Sequence, residues 1–374
     1  DAITVNGAGN KTIDGGSGTD SLTISISGIT SLADYTISTS GDYTVLTDSS
    51  SNAIQYKNIE TITVGNYAYT HSDPDHLNYF WSSNEHKVYM YLETTGDTDV
   101  SRADAVFYLG SNYPAGFSKT SALSVVGGDE YDWVRMDGTD RTDYTGNLIL
   151  SMEGGNDLLL KSKLKDSDSI DMGAGDDSID LEIGASGTSA FGDVSYTKLD
   201  GGAGNDTLDF TRSAGTNGQT LTLTFGNATN FENIIGSSNP ETIQGDGNNN
   251  ILVGDGDNST ISSSPVGSDT LYGYGGNDTL IAGSNGSTDS WNMARIMEGG
   301  LSNYLSYVNS EDNTGNDNLY GGPGADTLVG SLGNNILDGG VGTDTIYTGT
   351  GSDTVVIRSG DGSTTLANAD VVAD

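Results

Sequence analysis

The stretch Asp312–Val356 divides without a gap into five nine-residue units, DNTGNDNLY, GGPGADTLV, GSLGNNILD, GGVGTDTIY and TGTGSDTVV. The sixth position holds Asp317, Asp326, Asn335, Asp344 and Asp353. The eighth holds Leu319, Leu328, Leu337, Ile346 and Val355, and the fourth is glycine throughout, from Gly315 to Gly351. A unit with so little apolar surface buries it only by stacking on neighbours, so the period predicts a solenoid. The glycines permit a tight turn, with the sixth-position Asp facing outward.

This pattern resembles the calcium-binding nonapeptide of RTX proteins, G-G-x-G-x-D-x-U-x. The resemblance implies an all-β chain. Two nonapeptides form each coil of a parallel β-roll or β-helix solenoid, with turns on both edges and Ca2+ held between stacked turns. It places Asp317, Asn335 and Asp353 on one edge and Asp326 and Asp344 on the other, with the turn glycines Gly322, Gly324, Gly340 and Gly342 beside them. The donor chemistry agrees, since a hard dication prefers carboxylate and carbonyl oxygen and a glycine turn leaves its carbonyls free. Asn335 lacks the charge, so its site is expected to be weaker. The plainer reading is a glycine–aspartate turn array that only solvates loops.

Fifty-two acidic residues against fourteen basic ones give a formal charge of −38. Such a surface is a poor partner for nucleic acid. Carboxylates stacked along a narrow solenoid repel, so bound dications would both cancel charge and close the coils. The chain has no cysteine, which removes disulfides and thiolate chemistry, and no stretch approaches the length of a membrane span. It opens at Asp1 and ends at Asp374, and reads as a segment of something longer. The resemblance implies export from a bacterial cell and folding in external calcium.

Four segments are expected. In residues 1–65 one repeat, GGSGTDSLT with Gly18, Asp20 and Leu22, precedes strands of period-two alternation. In 66–147 the glycine repeat vanishes and all three His appear, which reads as an inserted β-rich domain. There His71, Asp73, Asp75, His76, Glu85 and His86 are the right donor types for a transition metal or a catalytic site, at a spacing that matches no specific motif; a polar surface loop is the plainer reading. Tyr79, Phe80 and Trp81, with Tyr67, Tyr69, Tyr89 and Tyr91 nearby, suit a sugar-binding face, a protein interface or a core.

Calcium-type turns return in 148–210 at Asp157, Asp177 and Asp206, the last within GGAGNDTLDF beside Gly202 and Gly204. The last segment, 211–374, opens loosely, with Asn249 and Asn258 at the acidic position before Asp269 and Asp278 restore it. An apolar insertion at 282–311, with two short helical patterns, either packs over an open face of the roll or contacts a neighbour. The tail after Val356 resembles the closing segment that follows RTX blocks.

There is no HExxH helix, no GxSxG elbow between strand and helix, and no cysteine nucleophile. The expectation is therefore a calcium-stabilised structural protein outside the cell, a self-assembling surface-layer or filament subunit. An adhesin for a surface glycan or protein, and a calcium-dependent enzyme acting on polysaccharide, are the alternatives.

Overall fold

The structure, a computed structural model, describes residues 1–40, 42–65, 67–71, 79–82, 87–90, 105–109, 118–128, 132–136, 144–183, 193–213, 216–255, 267–283, 315–361 and 370–373. Almost all regular structure in them is short β-strand, as the resemblance implied. The chain forms two units, one of residues 1–160 and 167–175, the other of 161–166 and 176–374.

In the second unit the nonapeptide sets the geometry. One sheet stacks Thr220–Thr222, Thr242–Gln244, Thr270–Tyr272, Asn318–Gly324, Ile336–Gly342 and Thr354–Val356, each parallel to the next. The other stacks Ser178–Leu181, Thr207–Asp209, Asn233–Ile235, Ile251–Asp255, Thr279–Gly283, Thr327–Val329, Thr345–Tyr347 and Val371–Ala373 in the same manner. Successive nonapeptides alternate between the sheets, so a coil takes two of them. Leu319 pairs with Leu337, and Leu328 with Ile346. All four side chains are buried. Each nonapeptide thus inserts its eighth-position residue between the sheets, worth roughly 1.5–3 kcal/mol of apolar burial per residue.

Long excursions do not disturb this register. Thr279 pairs with Thr327 and Leu271 with Leu319 across the insertion, so the repeats on either side of it are direct neighbours in the stack. Residues 284–311 of that insertion, and with them both helical patterns, lie outside the described residues.

The first unit contains both parallel coils and meanders. Ala2–Val5, Ser21–Ile24 and Thr61–Val64 are parallel neighbours, and Tyr67–His71 folds back antiparallel on the last. Tyr79–Ser82 and Lys87–Met90 continue antiparallel, after which Leu123–Val126, Leu148–Ser151 and Ser169–Asp171 resume parallel stacking. Described strands of segment 66–147 therefore lie within a sheet shared with their sequence neighbours. A second sheet folds Tyr35–Ser40, Tyr43–Asp48 and Ala53–Lys57 antiparallel beside Lys11–Asp14. Leu22, Ile24, Leu32, Leu46, Ile54, Tyr56, Ile62 and Tyr69 form the core of this unit.

Candidate metal centre

The sixth-position residue of each nonapeptide sits where a turn enters a strand, and in the second unit these residues line up in two rows. On one rim the Asp269 N–H donates to Asp317 Oδ1 (2.8 Å), that of Asp317 to Asn335 Oδ1 (2.9 Å), and that of Asn335 to Asp353 Oδ1 (2.8 Å). On the other the Asp278 N–H donates to Asp326 Oδ1 (2.7 Å) and that of Asp326 to Asp344 Oδ1 (2.9 Å). Asp177 and Asp206 begin this second row, the N–H of Asp177 donating to Asp206 Oδ1 at 2.8 Å. Asp326 and Asp344 thus share one rim, and Asp317, Asn335 and Asp353 the other. In the first unit the same bond runs from the Asp132 N–H to Asp157 Oδ1 (2.8 Å), while the N–H of Asp20 donates to Glu60 Oε2 (2.6 Å).

The carboxylates do not face outward as the sequence suggested. Asp177, Asp206, Asp269 and Asp317 are 0 % exposed and Asp157, Asp278, Asp326 and Asp344 1 %. The physical reason is the N–H of the preceding coil, which draws Oδ1 under the turn. That bond uses one oxygen. The other, Oδ2, is buried without a hydrogen-bond partner in Asp206, Asp269, Asp278, Asp317, Asp326 and Asp344. A buried anionic oxygen without a partner costs several kcal/mol unless a counter-charge meets it.

Glycine makes the room for it. A Cβ on Gly321 would stand 2.4 Å from Asp326 Oδ2, one on Gly339 2.4 Å from Asp344 Oδ2, and one on Gly273 2.3 Å from Asp278 Oδ2. The turn glycines stack as closely as bare backbone allows. A Cβ on Gly340 would lie 2.2 Å from the Gly322 carbonyl oxygen, and one on Gly342 1.4 Å from that of Gly324. Gly202, Gly204, Gly322 and Gly340 have positive φ, as such turns require. Carboxylate oxygens and turn carbonyls at one rim are the donors a hard dication takes. Among the described residues no three acidic or imidazole side chains converge on one point. An ion between coils would therefore draw on few carboxylates and complete its shell from backbone or water.

Burial pushes these acids up. Asp278 rises to about 6, and Asp206, Asp317 and Asp326 to about 7, in each case chiefly through desolvation and against the N–H bond that favours the charged form. Asp344 moves the same way. Burial, and then the neighbouring carboxylate of Asp255, raises Asp269 too. Carboxylates held this far from their comfortable ionisation accept either a proton or a metal.

These geometries fit the profile of a known repeat. The RTX calcium-binding nonapeptide repeat matches residues 7–23, 198–212, 232–261, 266–287, 311–337 and 320–355. The chain carries RTX repeats. RTX nonapeptides bind calcium, and proteins that carry them are typically secreted. No curated protein matches this chain.

The RTX rims hold residues that the glycine pattern did not reveal. Glu232 and Glu241 occupy sixth positions, with the N–H of Asp206 donating to Glu232 Oε2 (2.8 Å) and that of Glu241 to Asp269 Oδ1 (2.7 Å). Asn250, rather than Asn249, stands in the row, its N–H donating to Asp278 Oδ1 at 2.8 Å. Asn258 lies outside the described residues. Asp370 closes the row by accepting from the Asp344 N–H at 3.1 Å. The signal for most of them is the triplet of an acid or amide, a strand residue and an apolar residue, as in Glu241-Thr242-Ile243 and Glu232-Asn233-Ile234.

Asn335 differs from its neighbours. Its Oδ1 accepts from Asp317 and its Nδ2 donates to the Gly330 carbonyl at 2.6 Å, so its one side-chain oxygen is engaged and a donor takes the place of the second. Of the His–carboxylate cluster, Asp73, Asp75, His76, Glu85, His86 and the His71 side chain lie outside the described residues. Tyr69 is buried, its hydroxyl accepting the Leu32 N–H at 3.0 Å, which makes it core.

Proposed function

We propose that this chain is a calcium-stabilised structural protein that works outside the cell, as a self-assembling surface-layer or filament subunit. The observation that carries the reading is the buried carboxylates of Asp206, Asp269, Asp278, Asp317, Asp326 and Asp344 along the two rims, each with one oxygen satisfied by the neighbouring coil and one oxygen unmet. An enzyme concentrates its special chemistry at one place; here the same feature recurs along the roll, which suits a scaffold. In this reading Asp20, Asp157, Asp177, Asp206, Asp269, Asp278, Asp317, Asp326, Asp344 and Asp353 supply carboxylate oxygens. The turns around Gly202, Gly204, Gly322, Gly324, Gly340 and Gly342 supply carbonyls.

The residues then act as a folding switch. Their side chains cannot remain together as charged groups under the turns without a cation, so the chain stays open where calcium is scarce and closes where it is plentiful. Calcium binding supplies the counter-charge; the repeats supply the register in which coils close. Electron microscopy of the purified chain, in millimolar calcium and in chelator, tests the assembly. Ordered sheets or filaments are expected in calcium alone. A folded protein that stays monomeric in millimolar calcium contradicts the structural role, and release of sugars from a polysaccharide points to an enzyme.

A further inference from the structure

We propose that the coils from Gln219 to Val253 hold no calcium and stay closed when calcium is withdrawn, giving the metal-dependent coils C-terminal to them a fixed edge to close against. This rests on the reading that the aspartate coils take calcium. It departs from the family pattern, since the repeat profile matches 232–261 as it matches the aspartate coils.

The stretch satisfies its own rims. Where the next coils of its rim carry Asp269 and Asp317, it carries Glu241, whose Oε1 accepts from Ser237 Oγ and whose Oε2 accepts from the Ser237 N–H at 3.3 Å. Thr216 Oγ1 lies 2.6 Å from Ser237 Oγ, and Asn239 Nδ2 donates to both hydroxyls at 2.9 and 3.0 Å. On the other rim, where Asp278 and Asp326 follow, stands Asn250. Its Nδ2 donates to the Glu232 carbonyl (2.8 Å) and its Oδ1 accepts the Asp246 N–H (2.8 Å). The amide oxygen thus stands where an aspartate keeps its unmet Oδ2, 2.2 Å from a Cβ on Gly245 as Asp278 Oδ2 is 2.3 Å from one on Gly273, but it carries no charge and already accepts an N–H, so no anionic oxygen is left for a cation.

Next to it Asn233 donates to the Asn205 carbonyl (3.3 Å) and accepts the Ile251 N–H (3.0 Å). The following turn closes on Asp246, which accepts from both the N–H and the Nδ2 of Asn248 at 2.7 and 2.9 Å. Among the described residues from Thr216 to Gly254, no buried side-chain nitrogen or oxygen lacks a hydrogen bond, whereas the flanking Asp206, Asp269 and Asp278 each keep one unmet oxygen. Leu221, Ile234, Ile243, Leu252 and Val253 still fill the core there. Coils in a solenoid are held by their nearest neighbours, so such a block sets where opening stops.

Hydrogen exchange of the whole chain in calcium and in excess chelator tests this. In chelator, amides of Gln219–Val253 should exchange at least about tenfold more slowly than those of Asn318–Val356. Equal loss of protection in both stretches would overturn the inference and leave the calcium switch standing. Full protection of both would overturn the two together. A second variant probes the amide: Asn250→Asp should add about one calcium per chain by native mass spectrometry and make protection of 242–253 calcium-dependent. An unchanged calcium count in a folded Asn250→Asp protein contradicts the proposal, and if that variant does not fold, the wild-type exchange decides.

Discussion

Excess chelator at neutral pH should abolish most of the β-sheet circular dichroism of the C-terminal repeats and enlarge the hydrodynamic radius, by roughly twofold if the chain opens fully. Asp206, Asp269, Asp278, Asp317, Asp326 and Asp344 each bury a carboxylate oxygen with no hydrogen-bond partner. Without a cation, each must take a proton or return to water. The sign of the pH effect follows. In the metal-free fold Asp278 is raised to about 6 and Asp206, Asp317 and Asp326 to about 7, above the ordinary value of 3.8. Groups raised in this way contribute stability that is fully present below their unfolded value and is lost as pH climbs through the folded one. In chelator the chain should therefore be most compact below about pH 4 and loosen as pH climbs through 6 to 7, whereas in millimolar calcium it should stay compact at pH 7. A fold indifferent to chelator at pH 7.5, measured by circular dichroism and light scattering, contradicts the account.

Substituting Gly342→Ala should cost the calcium-loaded protein about 3 kcal/mol or more, the upper end of what overpacking costs. The reason is the closeness of stacked turns. A Cβ there would lie 1.4 Å from the Gly324 carbonyl oxygen, which is backbone and has no rotamer to escape into. Either the Gly322–Gly324 and Gly340–Gly342 pairing parts, or the strands shift and the ladder from Asp326 to Asp344 breaks with them. Gly7→Ala, in open space with no heavy atom within 4 Å, is the control. Denaturant titration in fixed calcium measures both, and equal midpoints for the two variants would show that turn stacking does not set the stability of the roll.

The chemistry of the repeats was legible because it is periodic. Eighteen residues separate Asp326 from Asp344 and Asp317 from Asn335, and one hydrogen bond joins each pair. The direction of the carboxylates was not legible, because the N–H that draws each one inward belongs to the preceding coil and leaves no mark in the unit itself. Glu232, Glu241 and Asn250 escaped for another reason. The glycine count sets the frame of a regular repeat, and where loops intervene the frame slips; the apolar residue two places on, Ile234, Ile243 or Leu252, keeps the true register because it must point into the core. In 66–147, read from sequence as an inserted β-rich domain, Leu123–Val126 stacks parallel on Leu148–Ser151 with ordinary alternation and no glycine repeat. A solenoid coil needs an inward apolar row more than it needs a metal turn.

A dication should sit at the unmet oxygens between coils. Crystals grown in millimolar calcium, with anomalous data collected at long wavelength, test it most directly. Peaks should lie against Oδ2 of Asp326 and Asp344, with none against the Nδ2 of Asn335. A well-ordered roll whose anomalous map is flat along both rims would contradict the account.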